Sequence, residues 1–181
     1  MIHEEDIIRL GVGKNIFHYS IRKKSNWWKI IALTLLGILA IVGLACADMI
    51  SVARSQIGQG ELFGNNRGPA IRQYLNGREG LPWCAGFVSY CLREAGYELP
   101  YTLRAKEFLK FGKRVKNPKP GDLIVFSRQG GGHIGIVSEV YPKDKIIITI
   151  EGNLGNYPSK VKEVHYKLGR IKNFMAFVRI K

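Results

Sequence analysis

Residues Ile30 to Ala47, IIALTLLGILAIVGLACA, are 18 consecutive positions without a charge. Coiled as a helix they span about 27 Å, close to the hydrocarbon thickness of a bilayer. The run is apolar on every side, unlike a helix that buries one stripe and wets the other. Trp27 and Trp28 stand at its start, where interfacial aromatics belong, and Arg22, Lys23, Lys24 and Lys29 surround them. The positive-inside tendency makes 1–29 a short cytoplasmic segment, 30–47 a transmembrane or signal helix, and 48–181 one domain outside the cytoplasm. Ala45-Cys46-Ala47 has the small-x-small form of a signal-peptidase site. Two localisations in the cell envelope are therefore expected: a membrane anchor retained through 30–47, or secretion after cleavage near Ala47. Lipoprotein cleavage before Cys46 is the weaker third option, because Gly43 stands where a large aliphatic residue is expected.

The formal charge is +14, and 22 basic against 11 acidic residues follow Ala47. Such a balance favours anionic partners, among them acidic lipid and anionic cell-wall polymers. The charges are spread along the chain, so a solvated basic surface explains them equally well. Nucleic acid is not expected, since no DNA- or RNA-binding motif is present and the domain lies outside the cytoplasm. A hydrophobic content of 46% excludes wholesale disorder. Of the three cysteines, Cys46 sits in the apolar run, and Cys84 and Cys91 lie about 10 Å apart along a helix, too far to bridge. Without a CxxC pair no structural zinc is expected, and no cofactor or metal is implied.

After Ala47, helices come first and strands second. Asp48 can cap a helix to Ile57, ended by Gly58, and Pro69 can open a short helix to Leu75. Pro82 to Ala95 reads as a central helix, with Cys84, Phe87, Val88, Cys91, Leu92 and Ala95 on one apolar face and Gly96 as its stop. Thr102 can cap a further helix through Phe111. Strands are expected at Asp122–Phe126, His133–Tyr141, Lys145–Ile150, Lys160–Tyr166 and Phe174–Ile180. Helices followed by antiparallel strands make an α+β domain.

Cys84 follows Pro82-Trp83 at a helix start, where unsatisfied N–H groups and the helix dipole favour an anion and hence a thiolate nucleophile. Taken alone, it fits a buried small hydrophobe equally well, the reading that suits mid-helix Cys91. His133 changes the balance, because it opens a strand directly after Gly130-Gly131-Gly132 and can present its imidazole at a groove. His3 and His18 precede the membrane segment, and His165 has no local signature. Glu151-Gly152-Asn153 follows a strand, where an acid or amide can orient an imidazole and stabilise its charged form. In isolation that tripeptide is an ordinary turn; the order Cys, His, Glu-x-Asn gives it meaning.

Four stretches in order, Trp83-Cys84-Ala85-Gly86-Phe87-Val88, Lys119-Pro120-Gly121-Asp122-Leu123-Ile124-Val125-Phe126, Gly132-His133-Ile134-Gly135-Ile136-Val137 and Glu151-Gly152-Asn153, resemble the CHAP domain. That family comprises cysteine-, histidine-dependent amidohydrolases and peptidases, papain-like and related to the NlpC/P60 group. Glu61 to Gly68 is similar to the segment that leads into the cysteine in some bacterial members, and the resemblance spans roughly Val52 to Val178. It implies a papain-like α+β fold, N-terminal helices packed on a C-terminal antiparallel sheet, and hydrolysis of a peptidoglycan amide bond, as N-acetylmuramoyl-L-alanine amidase or endopeptidase. It implies Cys84 as nucleophile, His133 as general base, Glu151 as orienting acid, Asn153 as a supporting polar residue, and the Cys84 N–H as part of an oxyanion hole. Gly86 departs from the more usual Ala, a change expected to be harmless.

Glu61, Asn66 and Trp83 are candidate substrate-groove residues, against a loop cap, a turn residue and a core aromatic as the plainer readings. Two other functions fit the resemblance: an inactive wall-binding relative, against which the presence of Cys84, His133 and Glu151 argues, and a thiol enzyme acting on a protein or isopeptide substrate.

Overall fold

A computed structural model describes residues 7–12, 15–20 and 47–181. The chain divides into two compact units, Met1–Ala45 and Cys46–Lys181. In the first, β1 (Ile7–Val12) and β2 (Asn15–Ser20) pair antiparallel, with Ile7 opposite Ser20 and Val12 opposite Asn15. No strand was expected there. The expected membrane or signal helix at 30–47 lies outside the described residues except for Ala47; among the described residues no helix is long and apolar enough to cross a membrane.

The second unit is α+β. Helix α1 (Met49–Ser55) starts where Asp48 accepts hydrogen bonds from the N–H groups of Ile50 and Ser51, at 2.9 and 3.1 Å. It ends two residues before the expected stop, closed by Gln56. Pro69 opens α2 (Pro69–Tyr74), and α3 covers Cys84–Glu94. The expected helix from Thr102 is a short 3-10 helix, Ala105–Lys110, with the Thr102 hydroxyl accepting from the Arg104 N–H before it.

Six strands form one antiparallel sheet: β3 (Lys113–Val115), β4 (Leu123–Phe126), β5 (His133–Tyr141), β6 (Ile146–Glu151), β7 (Lys162–Lys167) and β8 (Phe174–Arg179), in the order β3-β8-β4-β5-β6-β7. The sheet is buried on two sides. Leu123, Val125, Ile134, Ile136, Ile150 and Val178 join the helices in the main core. Ile124, Phe126, Val137, Ile147 and Phe177 form a second cluster, with Tyr166, Leu168 and Ile171 packed against it. This two-sided burial explains why β4 reads as a continuous apolar run rather than an alternation.

Helix α3 differs from the one-faced helix expected. Every residue from Cys84 to Leu92 is buried, because α1, α2 and β5 all pack on it. Ser89 is tolerated there because its hydroxyl donates to the Thr102 carbonyl at 3.1 Å. A Cβ on Gly86 would stand 2.7 Å from the Tyr74 carbonyl oxygen and 3.0 Å from Leu75. The helix therefore approaches α2 as closely as glycine permits, so the glycine that departs from the more usual alanine fits its surroundings here.

The Lys119-Pro120-Gly121-Asp122 turn is closed by its acid. Buried Asp122 accepts from the Lys119 N–H at 2.8 Å and pairs with both Nε and Nη2 of Arg179 at 2.8 Å. This bidentate pair ties the start of β4 to the end of β8.

Candidate active site

Three elements bring the expected chemistry together. Cys84 is the first residue of α3, behind the cap residue Trp83, so its own N–H lacks an intrahelical acceptor. No acidic side chain occupies that first turn. His133 is the first residue of β5, after a turn in which Gly130, Gly131 and Gly132 all take positive φ, a conformation that side chains other than glycine resist. Glu151 is the last residue of β6.

Register explains the pairing of His133 with Glu151. In the β5–β6 ladder Glu151 stands opposite Gly135, two residues from His133 and on the same face. A Cβ on Gly135 would lie 2.5 Å from Glu151 Cγ, so glycine leaves the room through which the carboxylate leans toward the histidine. Glu151 Oε2 meets His133 Nε2 at 2.8 Å. Its other oxygen accepts the Thr149 hydroxyl at 2.6 Å, one pleat back on the same strand face. Glu151 is fully buried and His133 nearly so.

The Phe126 ring packs against the imidazole with centroids 5.6 Å apart, and Tyr166 packs on Phe126 at 5.5 Å. Burial, followed by the Glu151 carboxylate, pushes the Tyr166 phenol up, so it stays protonated beside that acid.

With Nε2 engaged, His133 Nδ1 is buried without a hydrogen-bond partner. Burial by itself lowers the imidazole pKa, but the neighbouring Cys84 and then Glu151 outweigh it and raise the value to about 9. The ring is therefore protonated at neutral pH, the form suited to pair with a thiolate. Cys91 is also a free thiol, but it is fully buried in mid-helix and burial pushes its pKa up, which keeps it neutral.

Cys84 opens onto a cleft of about 580 Å³ whose lining includes Asn66, Pro82, Arg128, Asn153 and Tyr157. Asn153, with φ +57°, lines the same cleft as Cys84 and makes no hydrogen bond to the imidazole. Asn66, also at positive φ, lines the same cleft. Glu61 and Trp83 do not line it. Trp83 is fully buried, stacked on Tyr74 at 5.6 Å. Its indole N–H donates to Glu61 Oε1 at 3.2 Å. The same oxygen accepts from the Asn66 N–H at 3.0 Å, and Glu61 Oε2 accepts from the Ser159 N–H at 2.8 Å. Glu61 thus clamps two loops to the residue before the cysteine, and its carboxylate has no face toward the cleft.

Thr149, Tyr166 and Phe126 escaped the sequence reading. A period-2 count from Glu151 finds Thr149 on its face, but Tyr166 and Phe126 become neighbours of the site through strand pairing alone.

Comparison with known proteins agrees with the sequence resemblance. The family model described as the CHAP domain matches residues 76–153, which hold Cys84, His133, Glu151 and Asn153. A search of curated proteins found no match to the chain. Among solved structures, the peptidoglycan hydrolase RipB from Mycobacterium tuberculosis is similar at 24% identity and a TM-score of 0.47, over 73% of this chain. The chain spans 62% of the length of that structure. The P60 domain of an antigen from M. avium subspecies paratuberculosis is similar at 20% identity and a TM-score of 0.46, over 73% of this chain and 91% of that one. RipD from M. tuberculosis, described as a non-catalytic NlpC/P60 domain protein adapted to peptidoglycan binding, is similar at 20% identity and a TM-score of 0.46, over 74% and 95%.

Proposed function

We propose that this chain, whose residues 76–153 match the CHAP domain model, is a peptidoglycan hydrolase that cleaves an amide bond by a Cys–His thiol mechanism on a papain-like scaffold. The observation that carries the reading is the buried relay in which Glu151 holds Nε2 of His133 while Nδ1 remains for the Cys84 thiol.

The Cys84 thiolate attacks the scissile carbonyl carbon, and the carbonyl oxygen takes the negative charge within reach of the Cys84 N–H. As the intermediate collapses, the C–N bond breaks and protonated His133 gives its proton to the leaving amine. That leaves a thioester on Cys84 and a neutral imidazole. Water then attacks the thioester while His133 accepts its proton; the C–S bond breaks, the acid leaves, and thiolate and imidazolium are restored. Glu151 stabilises the imidazolium at both stages, and Thr149 fixes the carboxylate.

Residues 30–47 serve in this reading as membrane anchor or signal, with the catalytic domain outside the cytoplasm. The basic surface then faces anionic wall polymers or lipid. The reading is tested by acid-quenching the full-length protein with peptidoglycan fragments and mapping mass additions. An acyl adduct on Cys84 supports it; turnover with no adduct on any cysteine-containing peptide removes the thiol mechanism.

A further inference from the structure

A second cavity, of about 460 Å³, borders His133 and is lined by Phe126, Leu154, Tyr166, Arg170 and Lys172. Arg128 lines both this cavity and the cleft that holds Cys84, so the two are neighbours through one residue. No aspartate or glutamate lines either cavity. Among the described residues, Arg128, Arg170 and Lys172 enter no ion pair, although other arginines of the domain hold carboxylates. Three uncompensated cations against an apolar wall concentrate positive potential beside the reacting groups. Glu151, fully buried, is paired with His133 rather than with any of the three.

We infer that this cavity is an anion subsite, and that the substrate is a peptide carrying a carboxylate close to the amide presented to Cys84. The inference rests on the hydrolase reading for the peptide. The planar guanidinium forks of Arg128 and Arg170 match a carboxylate. The apolar wall of Phe126, Leu154 and Tyr166 suits the short carbon stem that bears it.

The test compares full-length protein on purified peptidoglycan, on the same material after carbodiimide amidation of its carboxyls, and on material stripped of phosphate polymers by hydrofluoric acid. The wild type is expected to cleave native material about tenfold faster than amidated material and to be indifferent to phosphate removal. In R170Q/K172Q the preference is expected to fall to about twofold or less through a higher KM at unchanged kcat, with R170K/K172R restoring it. Equal rates on native and amidated material overturn the inference while leaving the hydrolase intact. A preference that follows phosphate removal assigns the cavity to a phosphodiester polymer and overturns it too. Sedimentation of the C84A protein with the same three materials decides the case in which no hydrolysis occurs. Retention on native but not amidated material then supports the subsite although the hydrolase reading has failed, and equal retention refutes it.

Discussion

The Trp83 ring lies against the Cα of Gly152, so close that a Cβ there would overlap the ring. Trp83 directly precedes Cys84 and Gly152 directly follows Glu151, so one contact joins the helix of the proposed nucleophile to the strand end that carries its proposed acid. The spacing of Cys84 and Glu151 is thus built into the core, with Tyr74 on Trp83 and Glu61 on its indole N–H.

The two buried cysteines of the domain separate chemistry from packing. C84A is expected to abolish hydrolysis and leave the fold intact. C91A is expected to keep activity and lose about 1–3 kcal/mol of stability, the cost of a small cavity in a packed helix. Thermal melts with turnover assays on both proteins check this; equal loss of activity in two folded proteins would displace Cys84 as nucleophile.

The raised His133 pKa predicts a pH signature. Its folded value of about 9 exceeds the ordinary 6.5, so its contribution to stability is complete below 6.5 and fades as pH rises through about 9. An alkaline limb in kcat/KM is expected near the same pH. Imidazole NMR titration should show the value falling in C84A, and also in E151Q, since both partners favour the charged ring. A titration unchanged by either substitution contradicts the coupling.

Gly135 is predicted to matter to catalysis through another residue. In G135A the new methyl group displaces Glu151, and kcat/KM is expected to fall about 10–100-fold while the alkaline limb moves to lower pH. A purely structural role would lower the melting temperature and leave the limb in place.

Glu61 is predicted to hold structure rather than substrate. E61A leaves the N–H groups of Trp83, Asn66 and Ser159 without their acceptor, a loss of about 2–4 kcal/mol. Chemical denaturation measures it. Below the melting transition KM is expected to stay near the wild-type value, whereas a groove role would raise it.

What could be read from the sequence were the features that announce themselves locally. Asp48 caps a helix, Pro69 opens one, and β5 begins at His133 and ends at Tyr141 as expected, because a glycine turn and a proline bracket it. Cys84, His133 and Glu151 were accessible because each sits at the end of an element whose boundary residues are marked. The partners of Glu151 and Asp122 were not, since Tyr166 and Arg179 reach them through strand register, which no single strand encodes. Strand β3 escaped because three residues are too few to show an alternation. Glu61 holds loops, the plainer of its two readings, but what it holds was hidden for the same long-range reason: one of its three donors is 98 residues away.

The most direct measurement incubates the full-length protein and its C84A variant with purified peptidoglycan and identifies new termini by mass spectrometry. The account predicts new amine termini or freed stem peptides with the wild type and none with C84A, and their identity names the bond. Termini released equally by the folded C84A protein would contradict it, and so would a folded wild type that binds peptidoglycan and releases nothing.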